Sequence, residues 1–145
     1  MIVGVGVDLC RVDRIRRSVD RFGKDWLDEV FTDAEQARLG PGEQLVQRAA
    51  MGFALKEACS KTIGTGFAGG NRRHNFLVNI DGLGCSIRLT GAARRRAVNL
   101  CGTSALVQLR THIRSTAWVS ALAVLEVGSS RSWIGCTDLL SLLPD

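Results

Sequence analysis

Hydrophobic and polar positions alternate along the chain in blocks whose periods identify their structure. Residues 2 to 9, IVGVGVDL, are valine, isoleucine and glycine until Asp8 interrupts them. This is strand composition, with Gly4 and Gly6 permitting close backbone approach. Val12, Ile15, Val19 and Phe22 then recur at spacings of three and four, the apolar stripe of a helix. Its other face carries Arg11, Arg14, Arg16, Arg17, Arg21, Asp13 and Asp20, and Gly23 is placed to stop it. Thr32-Asp33-Ala34-Glu35 is a capping box, so a second helix should start at Thr32 and break at Pro41-Gly42.

The longest helical stretch runs from Glu43 to Ile63, with Leu45, Ala49, Phe53 and Leu55 as apolar contacts. Gly64-Thr65-Gly66 ends it, and a loop follows through Gly69-Gly70-Asn71-Arg72-Arg73. Phe76 to Asp81 and Cys85 to Thr90 read as strands paired around Gly82-Leu83-Gly84. A helix starts at Thr90-Gly91-Ala92 and runs to about Cys101. In residues 106 to 114, Val107, Leu109, Thr111 and Ile113 take one face and Gln108, Arg110, His112 and Arg114 the other. Residues 118 to 127 form another strand pattern. The order predicts an α+β domain with an antiparallel sheet and segregated helices, over residues 1 to 127. Residues 128 to 145 lose the pattern and read as a mobile C-terminal tail.

Composition narrows the class. The 145 residues are 46% hydrophobic and 23% charged, which excludes a chain disordered throughout. No apolar run reaches the ~18 to 20 residues of a membrane span, and the first residues lack the basic start of a signal peptide. A cytoplasmic protein without a membrane partner is expected. Lys plus Arg is 19 against 14 Asp plus Glu, a balance of +5 that favours an anionic partner. Cys10, Cys59, Cys85, Cys101 and Cys136 are odd in number and show no C-x-x-C spacing, so they read as reduced thiols.

Three places carry candidate chemistry. Asp8 ends an apolar glycine-rich strand, as an acid pointing into a cleft would, or as one that merely caps the next helix. Glu57 and Lys61 lie four apart on the long helix, a spacing also typical of a surface ion pair. Two of the chain's three lysines, Lys56 and Lys61, nevertheless fall in this window, directly before Gly64-Thr65-Gly66, whose backbone N–H groups could meet a phosphate. His74 and His112 have no metal-ligand partner at motif spacing. Two carboxylates, one lysine and several arginines could converge on a phosphorylated ligand held with a hard cation.

These residues resemble the holo-[acyl-carrier-protein] synthase family, the small 4′-phosphopantetheinyl transferases. One match is Ile2-Val3-Gly4-Val5-Gly6-Val7-Asp8-Leu9 with Arg14-Ile15 beyond it, and another is Phe31-Thr32 with Glu35. A third is Phe53-Ala54-Leu55-Lys56-Glu57-Ala58-Cys59-Ser60-Lys61 followed by Gly64-Thr65-Gly66. The first and third occur together, in order and at the right separation, which is specific.

The resemblance implies the 4′-phosphopantetheinyl transferase fold, a homotrimer, and transfer of 4′-phosphopantetheine from coenzyme A to a serine of an apo acyl carrier protein. It implies Mg²⁺ on Asp8 and Glu57, with Glu57 and Lys61 catalytic and Lys61 near the diphosphate. Coenzyme A is expected against Arg48, Lys61, Gly64, Gly66 and His112. The carrier protein, being acidic, is expected on Arg14, Arg17 and Arg21. The chain departs from the family pattern at Gly52, where an arginine is usual, and around His112, where serines are missing. Those departures motivate an alternative, a family member that binds carrier protein without catalysis. An Arg-rich nucleic-acid module is the other alternative, opposed by 6% aromatics, no tyrosine and no reading motif.

Overall fold

A computed structural model of the chain describes residues 1–81, 84–102 and 107–127, with residues 81, 84 and 107–114 described by their backbone. Five strands and four helices follow in the order β1 (Ile2–Arg11), α1 (Val12–Val30), α2 (Asp33–Gln36), α3 (Gly42–Thr62), β2 (Phe76–Asp81), β3 (Gly84–Leu89), α4 (Gly91–Cys101), β4 (Val107–Ser115) and β5 (Trp118–Val127). A 3-10 turn, Arg73–Asn75, precedes β2. β1, β5 and β4 form one antiparallel sheet with β5 in the middle, and β2 pairs with β3 in a separate hairpin. The expected α+β class is observed. The expected turn at Gly82-Leu83 and tail 128–145 lie outside the described residues.

α3 is the axis of the molecule, packing on β1 and β5 on one side and on β2 and α1 elsewhere. A helix enclosed from several directions has no broad polar face, so its buried positions run around it: Val46, Ala49, Ala50, Gly52, Ala54, Leu55, Lys56, Ala58, Cys59, Ser60 and Thr62. The small residues let the neighbouring elements approach closely. Larger groups such as Phe31, Phe76, Ile15 and Leu125 fill the remaining core, each stabilising by roughly 1.5–3 kcal/mol when fully buried.

Two local expectations change. Gly23 takes φ 51 and ψ −126, a conformation closed to other residues in a helix, yet helix resumes after it and runs on to Val30. Gly23 therefore bends α1 instead of ending the helical segment. The resumed turns carry Trp26 against Phe31 and Phe53, with ring centroids 6.1 Å apart in both pairs. Phe22, assigned to the apolar stripe, is exposed beside the bend. The capping box at Thr32 forms in full: the Glu35 N–H donates to Thr32 Oγ1, and the Thr32 N–H donates to Glu35 Oε2.

Candidate active site

The site begins with two absent side chains. Gly4, Gly6, Asp8 and Cys10 make up the row of β1 turned towards α3, while Val5, Val7 and Leu9 are exposed on the other face. A Cβ at Gly4 would stand 2.0 Å from the Thr62 carbonyl oxygen, and one at Gly6 would stand 1.9 Å from that of Ala58. Strand and helix thus touch backbone to backbone and run in opposite directions. Asp8 is the next member of the row, and its side chain emerges where α3 presents Glu57 and Lys61. Lys61 Nζ donates to Asp8 Oδ1 at 2.9 Å and to the Val7 carbonyl at 2.6 Å.

Glu57 and Lys61 are not paired with each other. Glu57 Oε1 accepts instead from an Nη of Arg73 at 3.1 Å, across from the 3-10 turn. Each candidate acid therefore has its own cation, Lys61 for Asp8 and Arg73 for Glu57. Cys10, two positions after Asp8 on the same face of β1, is buried. Burial raises the Cys10 thiol above its ordinary value, Arg14 opposes the rise, and Asp8 and Glu57 both add to it. Asp8 and Glu57 are about one-fifth exposed (17% and 21%), so they open to solvent without being surface groups.

Lys56, next to Glu57, turns into the core and is fully buried. It lies 2.9 Å from Glu35 Oε1 and also donates to the Val30 and Arg73 carbonyls. Glu35 in turn accepts from the Val78 N–H at 2.7 Å. Neither this ion pair nor the Arg73–Glu57 pair was foreseen from the sequence. The only signals were a capping-box glutamate for the first and a loop arginine for the second.

After α3, Gly64 (φ 75) and Gly66 (φ 56) turn the chain, and Asn71 Nδ2 braces Thr65 Oγ1 at 2.8 Å. Arg48 donates to the Arg38 carbonyl at 2.8 Å, and it lies thirteen positions before Lys61, about 20 Å along the helix axis. Only a long ligand could touch both. Gly52 is buried, and a Cβ there would meet the Phe31 ring at 2.7 Å, so a larger residue at this position requires the ring to shift. His112 sits on β4 opposite Leu122, and its side chain lies outside the described residues. Arg14, Arg17 and Arg21 are exposed on one face of α1: Arg14 over the Phe53 ring, Arg17 near Asp13, and Arg21 over Phe22.

The donor set suits a hard cation shared with substrate. Asp8 Oδ2 and Glu57 Oε2 accept no hydrogen bond among the described residues, so each acid keeps an oxygen available. Among the described residues no three His, Cys, Asp or Glu side chains are grouped to enclose a metal. Two carboxylates without a cage are what Mg²⁺ uses when phosphates and water complete its shell.

The close backbone contact of β1 and α3 thus brings an acid and a lysine together in an α+β fold. A family model described as the 4′-phosphopantetheinyl transferase superfamily matches residues 4–122. A holo-[acyl-carrier-protein] synthase from Hyphomonas neptunium is 37% identical over 130 residues, covering 87% of this chain and 94% of the relative. One from Methylobacterium nodulans is 42% identical over 112 residues, covering 75% and 85%. The crystal structure of the Neisseria meningitidis holo-[acyl-carrier-protein] synthase superposes with a TM-score of 0.72 at 26% identity, covering 87% of this chain and 99% of that one. The Bacillus anthracis enzyme, solved in complex with CoA (3′,5′-ADP), has a TM-score of 0.68 at 27% identity, covering 88% and 99%. The chain belongs to the 4′-phosphopantetheinyl transferase superfamily, among the holo-[acyl-carrier-protein] synthases.

Proposed function

We propose that Asp8 and Glu57 together hold Mg²⁺ for the reaction of this family, and that Lys61 neutralises the phosphate that leaves. The enzyme transfers 4′-phosphopantetheine from coenzyme A to a serine hydroxyl of apo acyl carrier protein. The serine oxygen gives up its proton to Glu57 or to water and bonds to the phosphorus that bears pantetheine, the diphosphate bridge breaks, and adenosine 3′,5′-bisphosphate departs. The nucleophile belongs to the carrier, so this chain needs no serine–histidine pair of its own. Phosphoryl transfer depends on positioning and charge neutralisation. The bound cation supplies Lewis-acid stabilisation of the diphosphate oxygens.

The observation that carries this reading is the contact of Lys61 with Asp8 one helical turn beyond Glu57. It joins the strand motif to the helix motif in one place. Arg48, Lys61, Gly64, Gly66 and His112 are the residues proposed to meet coenzyme A. Arg14, Arg17 and Arg21 are proposed to meet the acidic carrier, with electrostatic steering as the physical basis.

The exposed row Val5, Val7 and Leu9 lies beside Leu122 and Val124 of β5 on the sheet face away from α3. A solvated sheet face this apolar supports closure by further copies of the chain, as a homotrimer. No helix among the described residues is long and apolar enough to cross a membrane. Unbridged Cys10, Cys59 and Cys101 support a reducing, cytoplasmic setting.

The test is a mass measurement on apo carrier proteins incubated with the enzyme, coenzyme A and Mg²⁺. Addition of the phosphopantetheine mass is expected, and Asp8→Asn and Glu57→Gln should each lower turnover by at least about 100-fold while the protein stays folded. Carrier binding without modification of any carrier would instead identify a non-catalytic member.

A further inference from the structure

Arg73 belongs to none of the motifs that carry the family reading, yet its guanidinium stands on an acid of the proposed site. One Nη donates to Glu57 Oε1 at 3.1 Å, and the other reaches Glu29 Oε1 at 3.5 Å. The guanidinium carbon lies 4.6 Å from the centre of the Phe67 ring and 5.7 Å from that of Phe53. The Arg73 carbonyl accepts from the buried Lys56 ammonium at 3.2 Å. Rings and carboxylates therefore hold the side chain from several directions, and a buried cation holds its backbone. Its Nε is buried and has no hydrogen-bond partner among the described residues.

The two counter-charges of the site differ in kind. Lys61 is half exposed on a flexible stem and can swing from Asp8. Arg73 is stacked, anchored at its own backbone and only 27% exposed. A divalent cation sharing Glu57 with Arg73 would meet a fixed positive charge a few ångströms away, where water screens poorly. A diphosphate brings the missing negative charge and could also accept from the guanidinium.

On the reading that Asp8 and Glu57 grip a divalent cation, we infer that Arg73 couples cation uptake to the arrival of coenzyme A. The cation alone binds weakly because Arg73 already satisfies Glu57. Cation and diphosphate together bind well because their charges cancel against both acids and the arginine. By linkage the coupling is reciprocal: the cation tightens coenzyme A as much as coenzyme A tightens the cation. This makes Arg73 a positioning residue that acts through Glu57. A purely structural brace for the 3-10 turn would change stability and leave the coupling alone.

Mn²⁺ is the probe, counted by the paramagnetic resonance signal of the free ion in titrations of the full chain, without and with coenzyme A. In the wild type, coenzyme A should tighten Mn²⁺ by about tenfold or more, within the usual range for coupled sites. In Arg73→Met, Mn²⁺ alone should bind roughly tenfold tighter than in the wild type, and the enhancement by coenzyme A should fall to about threefold or less. Arg73→Lys keeps the charge but loses the stacked fork, so its Mn²⁺ affinity without coenzyme A should fall between those of the wild type and Arg73→Met. Circular dichroism melting establishes that each variant is folded. Arg73→Gln replaces the methionine variant if that one melts below the assay temperature. Equal affinity and equal enhancement in wild type and the uncharged variant would overturn the role of Arg73 alone. A wild type that binds coenzyme A but takes up no Mn²⁺, like Glu57→Gln, would overturn the metal reading and the coupling together.

Discussion

Gly6 and Ala58 meet backbone to backbone: a Cβ on the glycine would stand 1.9 Å from the alanine's carbonyl oxygen and 3.0 Å from Lys61 Cβ. That contact sets the distance between β1 and α3, and with it the approach of Asp8 to Lys61. Gly6→Ala forces the strand off the helix, because the obstructing atom is backbone and cannot rotate away. We expect a loss of at least about 3 kcal/mol in urea unfolding, at the severe end of overpacking, and loss of transferase activity in whatever remains folded. A variant with wild-type stability would show that the contact is looser than described.

Lys56 gives a second prediction, with a pH signature. Burial pulls its ammonium below the ordinary lysine value, and the charge of Glu35 opposes the shift. Lys56→Met removes the partner of a buried carboxylate and should cost about 3–5 kcal/mol at neutral pH. Between the depressed native value and the ordinary lysine value, the unfolded chain holds a proton that the native chain has released. Stability from this group therefore rises with pH through that alkaline window and is flat below it. The stability difference between wild type and Lys56→Met, measured by urea unfolding at increasing alkaline pH, should grow through the window. A constant difference would mean that burial does not depress the group.

Val7 is 57% exposed and Leu9 62% exposed, on the edge strand of the uncovered sheet face. If copies of the chain cover that face, Val7→Asp places a charge in an apolar interface. Sedimentation equilibrium should then show the wild type as a trimer and the variant shifted to monomer. Identical masses for the two would remove this face from the interface.

Arg17 is exposed on the arginine face of α1, with Asp13 at 3.5 Å. Reversing its charge with Arg17→Glu should raise KM for an acidic carrier about tenfold while leaving kcat and the KM for coenzyme A within twofold. Added salt should shrink the difference, since rim charges act through a screened field. A change confined to kcat would place Arg17 elsewhere in the reaction.

Much of the architecture was legible in local pattern. The glycine-rich strand, the capping box at Thr32, the long helix ending near Ile63 and the last two strands all stand where periodicity and turn chemistry put them. These features rest on contacts within a few residues, and such contacts leave a period in the sequence. Helix continues beyond Gly23 because Trp26 packs on Phe31 and Phe53, contacts that no local stripe records. The apolar stripe likewise overreached at Phe22, which the bend leaves outside the core.

The sequence by itself offered Asp8 and Glu57 as candidate acids and Lys61 beside them, since motif residues keep their spacing whatever the packing. It could not say which charge faces which. Spacing of four suggested that Glu57 and Lys61 pair along the helix. Only the folded chain gives Lys61 to Asp8, Arg73 to Glu57 and Lys56 to Glu35. Ion pairs depend on distance through space, and here those distances come from strand and helix backbones packed together without intervening side chains.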